Sequence, residues 1–408
     1  MNLRKLSLAL AGATGLLVAA GANAGVGWKA GDWDVDISGN VNGFLTSSDC
    51  DTAGTVAGGL ACVGGDTISV RSGLLPSALV LGAKSRQGNF DVGFTFGMYP
   101  SINSESTRPG VNGTPGNLAL GSGSLDFRQN FFTFGDVSWG TVKIGRDIGI
   151  FGSDAILSDM TLLGVGGNAS GALPTNTSLG RIGLGYIYAD FMSQITYSSP
   201  DWSGFQFVAG VFQPLDSSLG AATAPNAKDS LMFQGKVTYG WSGDVSGKVW
   251  AGFVQQDVEN QPIAGGGTTD FDAKGFDIGG KIGYAGLELV GYYYDGDGAG
   301  TTGLLLNATD ALGNERDSSG GYVQGTYKIG KAKLGISWGT SDLDHANPAD
   351  AAAVPNLVES NEAFVVGLYY ALTKSVNLVI EYIDVEAKAH NGTKDEEESF
   401  AIGGIMFF

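Results

Sequence analysis

The chain has 408 residues, including 67 Gly, and its 41 acidic residues outnumber its 23 basic ones. This acidic balance excludes nucleic acid as a partner, because binding to phosphates requires clustered Lys and Arg. Two Cys and two His are too few for a metal cage of thiolates and imidazoles. A chain of this length ordinarily forms two or three soluble domains, although one closed β-barrel can use it all.

The first 24 residues have the pattern of a secretory signal peptide. Arg4 and Lys5 precede an apolar run from Leu6 to Ala20, and Ala22-Asn23-Ala24 is the small-residue pattern that signal peptidase cleaves. We predict cleavage there and one domain over residues 25–408. Loss of the two basic residues leaves 21 against 41 acidic ones, a net charge of −20. No later run of about 20 apolar residues follows, so a role in a membrane would have to be carried by strands.

Cys50 and Cys62 are the only cysteines and lie twelve positions apart in a Gly-rich polar segment. Export places them in an oxidising compartment, where a disulfide is the favoured state. A free reactive thiol is the alternative, but neither cysteine has a His or another base nearby in the sequence. We predict a disulfide between them that limits the freedom of one loop.

Beyond the signal, apolar and polar residues alternate, and β-branched, aromatic and Gly residues dominate. Trp33, Val35 and Ile37, for example, share one face of a segment whose other face carries three Asp. Such alternation predicts sixteen strands, near 32–45, 72–85, 88–98, 125–135, 138–146, 184–198, 203–213, 229–240, 243–256, 273–284, 286–295, 320–328, 331–340, 361–372, 375–387 and 398–408.

The predicted connections alternate between seven short turns and eight long loops. The long ones lie near 46–71, 99–124, 147–183, 214–228, 257–272, 296–319, 341–360 and 388–397. An outer-membrane barrel has an even number of antiparallel strands, with tight turns at one rim and long loops at the other. The fold class is therefore predicted to be all-β, a transmembrane antiparallel β-barrel of about 16 strands. Aromatic residues near strand ends suit the girdles at the membrane interfaces, namely Tyr99, Trp139, Tyr186, Trp202, Trp241, Tyr294, Trp338 and Tyr382.

Two further segments carry a family resemblance. The last strand places Phe400, Ile402, Met406 and Phe408 on one face, and residues 197–205 read Tyr-Ser-Ser-Pro-Asp-Trp-Ser-Gly-Phe. With the signal peptide and sixteen strands, these resemble the general porins of Gram-negative outer membranes. The resemblance implies an outer-membrane location, a homotrimer in contact with lipid and lipopolysaccharide, and a C-terminal sorting signal read by the barrel-assembly machinery. It also implies a third loop folded into the channel.

In that third loop, Phe151-Gly152-Ser153-Asp154 is similar to the second half of the porin motif Pro-Glu-Phe-Gly-Gly-Asp. Ser158-Asp159 follows at the expected offset, while Gly149 and Ile150 replace the Pro and the Glu. The resemblance implies that Asp147, Asp154 and Asp159 line the constriction. The loop's apolar residues would be costly to expose on a free tip, so we expect them to pack against the inner wall.

In the porin family, basic residues on the opposite wall face the loop's carboxylates. The candidates are Arg71, Arg128 and Arg146. Phe127 and Phe131 have the opposite parity to Arg128, which predicts that Arg128 and Asn130 face the lumen. Arg146 shares its parity with the apolar Val142 and Ile144, so a bulge would be needed to turn it inward.

The predicted function is passive diffusion of small hydrophilic solutes and ions through a water-filled pore, without enzymatic chemistry or a cofactor. The net charge of −20 predicts a mild preference for cations. The alternatives are a channel selective for a sugar, phosphate or a small acid, and a barrel hydrolase using His345 beside Asp342 or Asp344. Acidic outer loops, including Asp350 and residues 395–398, could share divalent cations with lipopolysaccharide.

Overall fold

A computed structural model describes residues 25–51, 54–100, 102, 126–170, 177–216 and 230–408. The predicted signal peptide, residues 1–24, lies outside the described residues, and its cleavage stays a prediction. In the described part of the chain, no helix is long and apolar enough to cross a membrane.

The described elements are mostly strands. They are β1 (Val26–Ala30), β2 (Trp33–Cys50), β3 (Thr67–Arg71), β4 (Ala78–Gln87), β5 (Phe90–Tyr99), β6 (Asp126–Asp136), β7 (Gly140–Ile148), β8 (Phe191–Ser198), β9 (Phe205–Phe212), β10 (Met232–Trp241), β11 (Val245–Pro262), β12 (Thr268–Tyr284), β13 (Leu287–Asp297), β14 (Asp317–Ile329), β15 (Ala332–Leu343), β16 (Val358–Ala371), β17 (Val376–Ala389) and β18 (Lys394–Phe407). Two short α-helices, α1 (Ser153–Ser158) and α2 (Pro348–Ala353), and a 3₁₀ helix (Met160–Leu163) lie in the loops.

The strands form one closed antiparallel barrel. From β4 to β18 each strand pairs with the next, and β18 pairs with β2 to close the circuit. β3 and β4 pair with successive parts of β2, Phe44–Ser48 and Asp34–Asn40, so together they fill one position in the wall. β1 forms a hairpin with the start of β2. The described strands thus fill sixteen positions, which confirms the predicted barrel.

Side chains alternate between lipid and the interior along each strand. On β13, Leu287 and Leu289 are 41% and 47% exposed, whereas Val290 and Tyr292 are 4% and 6% exposed. An outward apolar band is stable here because it meets hydrocarbon rather than water. Closure pairs the backbone N–H and C=O groups across strands, as that environment requires.

The girdle prediction was wrong for Tyr99, Tyr186 and Tyr294, which are buried. Tyr294 has the inward parity of its strand, and Tyr186 lies in a loop inside the barrel. Proximity to a strand end does not reveal which face a ring occupies. Trp202 and Trp338 are exposed on the outside, at 52% and 41%.

Several strands are longer than their apolar alternation. β11 and β12 continue to Pro262 and from Thr268, so most of the predicted loop 257–272 is hairpin. β17 and β18 likewise leave only residues 390–393 of the predicted loop 388–397. Hydrogen bonding continues beyond the lipid band, where water on the outer face removes the need for alternating apolar residues.

Candidate functional site

The third loop lies between β7 and β8, and its described residues, 149–170 and 177–190, lie inside the barrel. Its backbone N–H groups donate to inward-facing wall side chains. Gln234 Oε1 of β10 accepts from Ile150 N and Phe151 N at 2.7 and 2.9 Å. Gln324 Oε1 of β14 accepts from Met160 N at 2.7 Å. The loop is therefore fastened to the wall on widely separated strands.

Glu381 of β17 holds the part of the third loop that follows the 3₁₀ helix. Its Oε2 accepts from Val165 N and Gly166 N at 2.7 and 3.0 Å, and its Oε1 accepts from the Tyr369 hydroxyl at 2.7 Å. The approach is so close that a Cβ on Gly164 would lie 2.1 Å from Glu381 Oε1. Only a glycine fits at this point without displacing the loop or the Glu381 carboxylate.

Asp154 of α1 joins the loop to the wall through two lysines. Its Oδ2 accepts from Lys236 Nζ at 2.6 Å, and its Oδ1 pairs with Lys248. Burial alone would raise the pKa of Asp154, but the charges of Lys236 and Lys248 outweigh it and hold the pKa well below its usual value. The negative charge of Asp154 is thus compensated by the barrel wall.

Asp159 and Asp147 are also engaged elsewhere. Asp159 accepts from Thr161 N at 2.9 Å at the start of the 3₁₀ helix, and from the Tyr186 hydroxyl at 2.8 Å. Asp147, on β7, pairs with Lys143 at 2.5 Å and accepts from Gln129 at 2.9 Å. All three predicted constriction carboxylates lie in contacts of the loop or the wall, whereas the resemblance places them in the open passage.

A cavity of about 620 Å³ separates the third loop from the wall. Polar groups border it on one side, at Asp126, Arg128, Arg146, Tyr188 and Asp190. The rest of its lining is largely aliphatic and includes Leu60, Leu74, Leu75, Ile156, Leu162, Leu179, Ile182 and Leu306. The cavity thus has an apolar side formed mainly by loops and a side with two Arg and two Asp.

Arg128 reaches this cavity because of a bulge between β5 and β6. Gly97 pairs with Gln129 but Tyr99 pairs with Asp126, so β6 has one extra residue there. Arg128 Nε donates to Asp126 at 2.7 Å, and its guanidinium lies 5.7 Å from the Tyr99 ring.

Asn130, predicted to face the lumen, points outward instead. It pairs directly with Phe96, which is 44% exposed on the lipid side. The bulge reverses the parity on which the prediction depended.

The other two predicted arginines differ from each other in placement. Arg146 pairs with Asn130 on the outward face, and its Nε donates to the Phe191 carbonyl at 3.2 Å at the cavity edge. Arg71 is 2% exposed and donates to the Asn168 and Thr177 carbonyls at 2.7 and 2.6 Å. Arg71 therefore tethers the third loop and does not line the cavity.

Gln234, Gln324, Glu381 and Lys236 were missed by the sequence analysis. Each is a polar residue on the inward face of a strand whose neighbours face lipid, such as Phe233 beside Gln234. That parity was available in the sequence. Which loop atoms these residues bind was not, because the partners are 82 to 216 positions away.

The outer loops also fold inward. Cys50 and Cys62 form a disulfide with Cα atoms 5.5 Å apart, and Glu397 accepts from Cys62 N at 2.9 Å. Asp395 accepts from Thr55 N and Val56 N at 2.9 and 3.0 Å. Asp395 and Glu397, which were predicted to lie among the acids of the outer loops, thus bind the loop that follows β2.

His345 lies beside a different carboxylate from those predicted. Its Nδ1 is 3.5 Å from Asp350, which pairs with Arg316 at 2.7 Å, and its ring packs on His390 with centroids 4.2 Å apart. Among the described residues, no group of three or more His, Cys, Asp or Glu is placed to hold a metal ion. Divalent cations at the outer loops stay a prediction.

At the C-terminus, Phe400, Ile402 and Met406 face lipid and are 47, 43 and 46% exposed. Phe408 exchanges backbone hydrogen bonds with Gly39, at 2.9 and 3.1 Å. The last strand thus presents an apolar outer face and closes the barrel against β2.

The family model described as Gram-negative porin matches residues 7–390. Among solved structures, the outer membrane channel DcaP of Acinetobacter baumannii is similar with a TM-score of 0.68 at 14% identity, covering 94% of this chain and 100% of that one. The anion-selective porin from Comamonas acidovorans has a TM-score of 0.61 at 15% identity, covering 92% and 100%. OmpT of Vibrio cholerae in its trimer form has a TM-score of 0.51 at 15% identity, covering 93% and 100%. At these identities the likeness shows the fold alone. No curated protein matches the chain.

Proposed function

Because the chain belongs to the Gram-negative porin family and is an outer-membrane channel for solute diffusion, we propose that small hydrophilic solutes and ions cross it passively past the third loop. The observation that carries this proposal is the loop itself. It lies within the barrel, held by Gln234, Gln324 and Glu381, and leaves a cavity of about 620 Å³ against the wall. A fixed constriction of this kind selects solutes by size.

The ion preference needs a separate argument. The net charge of −20 predicts a mild preference for cations, carried at the constriction by Asp147, Asp154 and Asp159. Lys143, Lys236 and Lys248 compensate two of these carboxylates, and Arg128 at the cavity edge is paired with Asp126. The narrow part is therefore close to neutral, and the third loop sets the width of the passage more than its charge.

Recordings in planar bilayers test this proposal. The purified protein should give stable conductance steps, and liposomes containing it should admit small sugars but exclude larger oligosaccharides. Absence of steps and of solute entry would contradict the channel. A reversal potential directed to cations in a KCl gradient would favour the prediction from net charge.

A homotrimer is supported by a row of polar residues on the outer face. Asn130, Arg146 and Ser193 lie side by side on β6, β7 and β8. Charged side chains facing lipid are destabilising, so a subunit contact there would cover them. The OmpT structure described as a trimer form supports the same assembly. Light scattering after gel filtration should give three times the monomer mass, and Arg146→Glu should lower it.

A further partner is supported by the apolar outer face of the last strand. The outward Phe400, Ile402 and Met406 support reading of the last strand by the barrel-assembly machinery, and deletion of Phe408 should reduce insertion into the outer membrane.

Hydrolysis by His345 has little support, because Asp350 beside it is already paired with Arg316. The substitution His345→Ala should leave the conductance unchanged. Neither the wild type nor this variant should hydrolyse lipid or peptide.

A further inference from the structure

Four lysines line the inner wall below the third loop, towards the rim of short turns. They are Lys248 of β11, Lys281 of β12, Lys328 of β14 and Lys333 of β15, here called the lysine array. Each is adjacent to a residue that faces lipid. Ile282 and Leu334, for example, are 45% and 50% exposed. Because side chains alternate between faces, all four lysines point into the lumen.

The register places these lysines in two like-charged pairs. Lys248 is directly opposite Lys281, and Lys328 is directly opposite Lys333. Like charges in such positions repel each other and destabilise a sheet. Neighbouring strands are about 4.8 Å apart, and the register offsets Lys328 from Lys281 by four residues along the strands, so the two pairs lie about 17 Å from each other across β13.

The wall neutralises only part of this charge. Lys248 shares Asp154 with Lys236, and Lys333 Nζ lies 4.9 Å from the Tyr369 ring. Within the described residues, the ammonium groups of Lys281 and Lys328 make no hydrogen bond or ion pair.

One carboxylate, Glu288 of β13, lies between the two pairs on the inward face, opposite Thr326. Counting Lys236, five ammonium groups face three carboxylates, Asp154, Asp277 and Glu288, a net charge of +2 on this wall.

The opposite wall at the same rim carries no excess of positive charge. Arg86 is shared by Asp91 and Asp136 at 2.9 and 2.8 Å, and Lys143 pairs with Asp147. The excess positive charge is therefore on one side of the lumen, even though the whole chain is acidic.

We propose that the lysine array is a binding site for small anions, which meet it after passing the third loop, and that it gives the channel a preference for anions. This inference rests on the proposed channel function. A Lys ammonium is a mobile point charge with three donors, so neighbouring lysines can converge on one oxyanion. A divalent anion such as phosphate gains from two ammonium groups at once and should bind more tightly than chloride.

The first test is the reversal potential in a KCl gradient for wild type and the double variant Lys281→Gln, Lys328→Gln. Removing two lumen charges should lower the permeability ratio of chloride to potassium by about twofold or more. Phosphate should reduce the chloride current of the wild type, and the double variant should need several-fold more phosphate for the same reduction. The charge-preserving variant Lys281→Arg, Lys328→Arg should behave like the wild type.

Two further variants separate lumen charge from net charge and from folding. Lys388, paired with Glu359 at 2.7 Å on β17, lies outside the array, so Lys388→Gln changes the net charge but should leave both readouts unchanged. Glu288→Gln removes the carboxylate between the pairs and should raise the anion preference. This variant keeps the test valid if the double variant inserts poorly.

Conducting channels whose permeability ratio and phosphate sensitivity are the same in the wild type, the double Gln variant and Glu288→Gln would overturn the inference while leaving the channel function intact. Absence of conductance in the wild type would instead contradict the channel function.

Discussion

Lys236 of β10 reaches Asp154 of α1 with 2.6 Å between Nζ and Oδ2, although the two residues are 82 positions apart. The same ammonium group donates to Ser153 Oγ at 2.8 Å. A carboxylate of the loop that narrows the channel is thus neutralised by the wall behind it. This contact makes Asp154 an anchor of the loop rather than a source of charge in the passage.

Replacement of Asp154 by Asn should release α1 from the wall. The variant leaves Lys236 and Lys248 without their counter-charge, at a cost of about 3 kcal/mol in the free energy of unfolding. This cost is at the lower end of the range for breaking a buried ion pair, because Lys248 stays partly in contact with water. We expect noisier single-channel currents and a lower midpoint in thermal unfolding in detergent. Asp201→Asn, in an exposed turn, is the control; equal noise in both variants would count against the anchor.

The same pair predicts a pH dependence. The pKa of Asp154 is lowered in the folded protein, so its contribution to stability is complete above the ordinary carboxyl pKa of about 4. The contribution is lost as the pH falls through the lowered value. Current noise that depends on Asp154 should therefore be constant from neutral pH down to about 4 and rise only below it. An onset near pH 6 in the wild type, absent from Asp154→Asn, would contradict this assignment.

The contact between Gly164 and Glu381 predicts a second way to free the loop. A Cβ on Gly164 would meet Glu381 Oε1 at 2.1 Å, so Gly164→Ala must displace the loop or the carboxylate. We expect altered conductance and faster proteolysis within the loop. Gly291→Ala is the matched control, because a Cβ there meets no atom within 4 Å. Unchanged conductance and proteolysis in Gly164→Ala would show that the loop is not held at this point.

The position of Arg128 predicts that this side chain narrows the passage. Its guanidinium lies beside the rings of Tyr99 and Phe191, 5.7 Å from each centroid, at the edge of the cavity. Arg128→Ala should widen the passage, raise the single-channel conductance by roughly 1.5-fold and admit larger neutral sugars. Arg128→Lys preserves charge and most of the bulk and should stay close to the wild type. Equal solute cut-offs in all three proteins would place Arg128 outside the path.

Most of the barrel could be predicted because lipid imposes a simple rule on each strand. Each of the sixteen predicted segments corresponds to one position in the wall, even where β3 and β4 share it. The site was harder to predict. Arg71 and Asp159 were expected in the passage, yet Arg71 binds the carbonyls of Asn168 and Thr177, and Asp159 accepts from Tyr186. Neither partner is implied by the local pattern.

The sequence by itself determined the architecture and the presence of an inserted loop, because alternation, loop lengths and a family motif are local properties of the chain. Only the tertiary structure decided which charges remain available to a permeating ion. Barrel closure brings Lys236 to Asp154 and sets Lys248 opposite Lys281, in contacts between strands and loops that no local pattern encodes. The field inside the lumen therefore differs from the net charge of the chain, since compensation depends on distances that exist only after folding.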